Sequence, residues 1–201
     1  MQPYKQSTKF TCSIASLMAI LNHYDKSVQL NRETELELWQ ETVVLPTRRS
    51  SLFAMAMVAK EYNVDFKVIV EDTSFLFPEY RFKKYRKFEV ELAEDNEKRF
   101  LRLAQKKNIN IEERAISLEE IKTLVQEGKK VLVRLNIGVL RNTKANRSKA
   151  HYIAIDDYYD NIFVVMDPRI GIKKIKENKM KEAFETVKDK CKRDHRMIIF
   201  G

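Results

Sequence analysis

Cys12, His151, Asp167 and Gln6 are the residues whose types and spacing can do nucleophilic chemistry. Cys12 stands where an apolar run begins, Cys12-Ser-Ile-Ala-Ser-Leu-Met-Ala-Ile-Leu21. A cysteine at a helix start meets the positive end of the helix dipole and unpaired N–H groups, which favour thiolate over thiol. A buried cysteine also serves simply as a small hydrophobe. His151 opens His151-Tyr-Ile-Ala-Ile155, and Asp167 closes Ile162-Phe-Val-Val-Met-Asp167 just before Pro168. Both runs are rich in β-branched residues and the turn-forming Asp156–Asn161 lies between them, so they read as a hairpin. A five-residue loop over Asp157–Asn161 puts His151 opposite Asp167, an imidazole beside a carboxylate, which is how a general base is oriented. A tight Asp160-Asn161 turn shifts the pairing by three residues and breaks that match. Gln6 lies six residues before Cys12. Its amide can fold back over the nucleophile and, with the Cys12 N–H, supply two donors to a developing oxyanion.

The elements that must position these residues follow from periodicity. Ile14, Leu17, Met18 and Leu21 recur at helical spacing over residues 12–23, with Cys12, Ala15, Ser16 and Ala19 on the opposite face. A helix that is bulky on one side and small on the other is buried on both. Residues 31–42 and 48–62 read as further helices, with Leu36 and Trp39, then Leu52, Met55, Val58, Ala59 and Tyr62, turned inward. Phe66–Val70 reads as a strand and Asp72–Arg81 as a loop. Ala93–Lys107 reads as an amphipathic helix. Ser117 and Glu120 form a capping-box start for a helix that runs to about Gln126 and stops near Gly128. Val131–Ile137 is a strand, Lys179–Lys188 a short helix and Met197–Phe200 a last strand. The pattern is α+β, with a helical N-terminal half and a largely antiparallel C-terminal sheet.

The 201 residues fit one domain, 1–201, with a lid or insertion at about 71–115. Four glycines, none before Gly128, leave no Gly-rich phosphate loop in the first half. No G-x-x-x-x-G-K pattern follows, which removes kinase, P-loop and dinucleotide-binding readings. Two cysteines make no disulfide framework, so a reducing, cytoplasmic setting is expected. No apolar run is long enough to span a membrane, and no small-x-small cleavage site follows Leu21, so a signal peptide is not expected. The formal charge of +9 favours an anionic partner. Basic residues concentrate at Arg81–Lys87, Arg141–Lys149 and Lys173–Lys181. Arg81-Phe-Lys-Lys-Tyr-Arg-Lys87 interleaves aromatics as single-strand binders do, yet one such stretch is more often an exposed helix face or lid, and nucleic acid is not the expected partner. Cys191-x3-His195 offers two metal ligands without partners, so no metal site is expected.

Gln6-x5-Cys12 opening an apolar helix, His151-Tyr-Ile-Ala-Ile on one strand and Val164-Val-Met-Asp167-Pro168 ending the next resemble the papain-like cysteine peptidases. Within them they resemble the bacteriocin-processing peptidases, which remove double-glycine leader peptides, and their stand-alone relatives. The resemblance implies a papain-like fold and a cysteine-dependent peptide hydrolase without metal or organic cofactor. It implies Cys12 as nucleophile, His151 as base, Asp167 as orienter and Gln6 in the oxyanion hole. It also implies cleavage after small residues, while the basic segments add a preference for an acidic peptide or protein substrate. Ser13 stands where that family usually has glycine. Two alternatives remain: acyl transfer on the same site, and a non-enzymatic basic binding module on this fold.

Overall fold

The computed structural model describes residues 1–74, 84–143 and 149–201. Helix α1 (Cys12–Tyr24) leads into α2 (Arg32–Thr42), a small hairpin of β1 (Val43–Val44) and β2 (Arg49–Ser50), α3 (Leu52–Glu61) and β3 (Phe66–Val70). Then come α4 (Lys87–Lys106), β4 (Ile111–Glu113), α5 (Leu118–Gln126), β5 (Lys130–Asn136) and the short α6 (Ile137–Leu140). The chain closes with β6 (Ala150–Tyr159), β7 (Ile162–Asp167), β8 (Gly171–Lys176), α7 (Glu177–Asp189) and β9 (Arg196–Phe200). Seven strands form one sheet in the order β4-β3-β9-β5-β6-β7-β8. All neighbours in it run antiparallel except β3 and β4. The expected Asp72–Arg81 loop lies largely outside the described residues, as do the first three residues of the basic Arg81–Lys87 segment and most of Arg141–Lys149.

Strand alternation divides the core in two. Leu132, Tyr152, Ala154, Met166 and Ile198 pack with α1 and α3 on one face. Val133, Leu135, Ile153, Val165 and Met197 pack with α5 and α7 on the other. Successive side chains of a strand point to opposite faces, so β5, β6, β7 and β9 each serve both layers. In α1, every residue from Ser13 to Asn22 is buried, as its two-sided pattern requires. At roughly 1.5–3 kcal/mol for each large aliphatic side chain, Ile14, Leu17, Ile20 and Leu21 make α1 the fixed reference against which the site is built.

The stretch 71–115 contributes α4, which packs along α3, and β4, which pairs in parallel with β3 at the sheet edge. A buried ionic cluster fastens α4 to the sheet. Arg196 bonds the Asp194 carboxylate, reaches Glu97 of α4 at 3.3 Å, and donates to the backbone oxygens of Asp72 and Ser74. Arg134 of β5 holds the other Asp194 oxygen at 2.7 Å.

Three expectations need correction. In α2 the buried residues are Glu35, Leu38 and Thr42, with Trp39 packed against the core at its edge and Leu36 outside it, because a buried carboxylate occupies a position that hydropathy assigns to solvent. Gly171–Lys176, which overlaps the start of the basic Lys173–Lys181 run and where the sequence predicts no strand, forms the edge strand β8; one of its faces is solvent-exposed, which suits lysine. The third concerns the hairpin. Asp160 (φ 49°) and Asn161 (φ 59°) make a two-residue turn flanked by the Tyr159–Ile162 pair, not a five-residue loop. The turn moves the register by three residues. A bulge between Ile155 and Asp157 then gives one back, leaving Ala154 opposite Met166. The extra residue, Asp156, is held by Lys130 at 2.8 Å. Carried one residue further, the register sets Ile153, not His151, across from Asp167. The net displacement is two residues, an even number. His151 and Asp167 therefore share a face as diagonal neighbours, a spacing of about 7–8 Å between backbones that long side chains can span.

Candidate active site

The site lies where the first turn of α1 meets the starting end of β6. Ser16, one turn into α1, donates to the Tyr152 carbonyl at 3.3 Å, fixing helix against strand beside the reacting groups. The Cys12 sulfur is 3.1 Å from Nδ1 of His151, the second residue of β6. This is hydrogen-bond distance for a thiol and an imidazole, so the two can exchange a proton directly. Both residues are partly exposed, which leaves the pair open to a substrate.

The sequence pointed to a thiolate favoured by the helix start, and two opposing influences act on the sulfur. Burial of the sulfur is the dominant influence and pushes the thiol up to about 11. The Ser13 N–H, the Arg141 guanidinium and the Cys12 N–H pull it back down, and the Asp167 carboxylate pushes it up again. The helix terminus acts in the expected direction but desolvation outweighs it.

Asp167, the last residue of β7, is 1% exposed. Its carboxylate is gripped by Arg141, with Nε to Oδ2 at 2.8 Å and Nη2 to Oδ1 at 2.6 Å, and Oδ1 also accepts from the Arg169 N–H at 2.9 Å. Burial alone would raise this carboxyl, but Arg141 and the Arg169 and Ile170 N–H groups hold it below the usual carboxylate range. Arg141 is placed by α6, whose start is capped by Asn136 accepting from Gly138 N–H at 3.1 Å and whose end is closed by the Arg141 N–H on the Ile137 carbonyl at 3.0 Å. The sequence showed Arg141 only as one member of a basic run. An arginine just after the strand-end Asn136-Ile-Gly was the only local hint, and its partner is set by tertiary structure.

Gln6 donates its backbone N–H to the Pro168 carbonyl at 2.7 Å, which brings the N-terminal arm to the end of β7 beside Asp167. Its side-chain amide donates to the Thr8 carbonyl. A primary amide has two N–H donors, so one remains for other use. The arm is organised by a residue that the sequence did not reveal. Glu35 of α2, fully buried, accepts from the Tyr4 hydroxyl at 2.8 Å, from the Ser7 N–H at 2.9 and 3.0 Å, and from the hydroxyl of Thr11, which precedes Cys12.

The other flagged pair, Cys191 and His195, is placed apart from Cys12 by its own set of contacts. His195 sets Nδ1 3.1 Å from Glu71 and Nε2 3.0 Å from the Phe184 carbonyl, and stacks on the Phe184 ring; Cys191 is buried. Among the described residues no group of three or more His, Cys, Asp or Glu side chains is placed to hold a metal ion. Among them also, no helix is long and apolar enough to cross a membrane.

A search of curated proteins finds no match. Among solved structures, one similar fold is described as a double glycine motif protease from an AMS/PCAT transporter in complex with the leader peptide. It is 13% identical, with 100% of this chain and 98% of that one covered, at a TM-score of 0.49. A family model described as "Peptidase_C39 like family" matches residues 1–196, a span that includes Gln6, Cys12, His151 and Asp167. With nearly the whole chain matched and a Cys12–His151 pair in bonding contact, the protein belongs to the Peptidase_C39 like family and is a cysteine-peptidase-like enzyme.

Proposed function

We propose that the protein hydrolyses a peptide bond that follows small residues, through an acyl-enzyme on Cys12. The observation that carries this reading is the 3.1 Å contact between the Cys12 sulfur and His151 Nδ1 at the start of a buried helix. As the sulfur attacks the carbonyl carbon, its proton passes to Nδ1. The carbonyl oxygen becomes an oxyanion facing the Cys12 N–H and the second N–H of the Gln6 amide. Collapse of the tetrahedral adduct expels the amine, which takes the proton from His151. Water, deprotonated by the same ring, then releases the carboxylic acid and regenerates the thiol. Asp167 orients the ring and stabilises its charged form from the same face of the sheet.

Two features support the substrate. Ser13, Ala15 and Ser16 crowd small side chains around the nucleophile, and Ser13 is itself buried, so small residues fit best before the scissile bond. The chain carries net charge +9, which supports acidic residues nearby in the substrate. The charge of Arg141 is neutralised by Asp167, so attraction must come from the other basic groups.

The test is a panel of peptide amides ending in Gly, with and without acidic flanks, assayed across a salt series. Cys12→Ala should abolish turnover, His151→Ala should lower it by about 10²–10⁴, and Gln6→Ala by about 10²–10³. For acidic-flanked peptides kcat/KM should fall as salt screens the attraction. Turnover that survives Cys12→Ala would remove the thiol mechanism. A lack of preference for small residues would remove the assigned specificity.

A further inference from the structure

We propose that Arg141 is a positioning residue of this site: its two-point grip fixes the Asp167 carboxylate at the end of β7, and the couple sets the charge balance at the Cys12 sulfur. The inference rests on the cysteine-hydrolase reading above and adds a fourth side chain to it.

The geometry is that of a paired, buried ion couple. Two near-parallel bonds of 2.8 and 2.6 Å join the guanidinium to both carboxylate oxygens, with side-chain exposures of 10% for Arg141 and 2% for Asp167. A planar guanidinium matches a carboxylate in this two-point fashion, which a lysine cannot reproduce. The pair sits within electrostatic reach of the nucleophile. Among the described residues, the charged and titratable groups acting on the sulfur are His151 from β6, Asp167 from β7 and Arg141 from the end of α6. The two members of the couple act with opposite sign. Asp167 opposes a negative sulfur and Arg141 favours one. An aspartate placed here to serve His151 would by itself make the thiol harder to ionise. Arg141 cancels that cost and at the same time prevents Asp167 from protonating inside the fold. Arg141 and the Arg169 N–H together place three donors on the carboxylate, which fixes its orientation at the end of β7.

The couple makes a prediction that a merely structural ion pair does not. Removing either member should move Cys12 reactivity, in opposite directions. The measurement is the rate of Cys12 alkylation by iodoacetamide against pH, resolved by peptide mapping with Cys191 as internal control. Arg141→Gln leaves the Asp167 charge uncancelled, so its profile should move to higher pH, with a rate at fixed pH roughly tenfold lower. Asp167→Asn leaves Arg141 uncancelled, so its profile should move to lower pH by a similar amount. The double variant should return close to wild type. Arg141→Lys keeps the charge without the two-point grip and should restore the profile while recovering only part of the peptide turnover. Should Arg141→Gln fail to fold by circular dichroism, Asp167→Asn and Arg141→Lys carry the test. Shifts of the same sign in both single variants, as loosened packing would produce, would overturn the inference, and so would unmoved profiles. Opposed shifts without any peptide turnover would leave Arg141 in its role and remove the peptidase reading. Turnover with unmoved profiles would do the reverse.

Discussion

Glu35 shows how much a single buried side chain controls here. It has no contact with a reacting atom, yet its carboxylate gathers Tyr4, Ser7 and Thr11 and so shapes the arm that carries Gln6 into Cys12. Replacing it with alanine strands the Ser7 N–H and two hydroxyls. Glu35→Ala should lower stability by roughly 3 kcal/mol, the scale of donors left unpaired around a lost charge, and should slow turnover through the displaced arm. A urea titration and a kcat measurement on the folded fraction check the two effects; a variant as stable as wild type would show that the arm is held otherwise. The two residues that the fold brings into contact, Cys12 and His151, were legible because each sits at a local landmark: a cysteine where an apolar run starts and a histidine opening a β-rich run. Glu35 and Arg141 were not. A carboxylate in the charged run Arg32-Glu-Thr-Glu, or an arginine in a basic run, looks like a solvated surface until the fold supplies its partner.

Elements with strong periodicity were also readable. Phe66–Val70 forms β3 over that same span, and Ser117 caps α5 by accepting from the Glu120 N–H at 3.1 Å. The reciprocal half of that cap is absent because the Glu120 carboxylate turns to Arg114 instead. The hairpin register was not readable, since it depends on two compensating irregularities, the tight turn and the bulge at Asp156. Either one alone would put His151 and Asp167 on opposite faces, because a slip by an odd number of residues inverts a strand. The docking of α4 is similarly non-local. Arg196→Met removes the cation shared by Asp194 and Glu97 and the donor to two backbone carbonyls. The expected loss is about 3–5 kcal/mol, the cost of stranding buried charges, read as a fall in the urea midpoint. A loss under about 1 kcal/mol, as for an exposed ion pair, would show that α4 is held by its apolar face alone.

For the molecule as a whole, these buried couples set its response to pH. Asp167 and Asp194 are both pushed up by burial and pulled down further by their arginines, so both titrate below the ordinary carboxylate range in the fold. A group whose pKa is depressed on folding contributes stability that is complete above its unfolded value, about 3.9 for aspartate, and is lost as pH falls through the folded value. Cys12 works at the other limit. Its thiol is raised to about 11, so the stability it contributes is complete below the unfolded value and lost as pH rises through that level. The urea midpoint should therefore be nearly flat around neutrality, fall below about pH 4, and fall again towards pH 11, with the alkaline decline reduced in Cys12→Ala. A midpoint unchanged between pH 5 and pH 3 would show that the carboxylates are not held as described.

The edge strand β8 bears on how the protein behaves in concentrated solution. It ends the sheet with Ile172 half exposed and with Lys173, Lys174 and Lys176 along a six-residue ribbon. An unpaired ribbon of this kind is a template on which a second copy can hydrogen-bond, and like charges along it keep copies apart. That protection is electrostatic and so fades with ionic strength. Precipitants and high-salt buffers weaken the guard on β8, whereas dilute buffers preserve it, so the composition of a stock solution acts directly on its clarity.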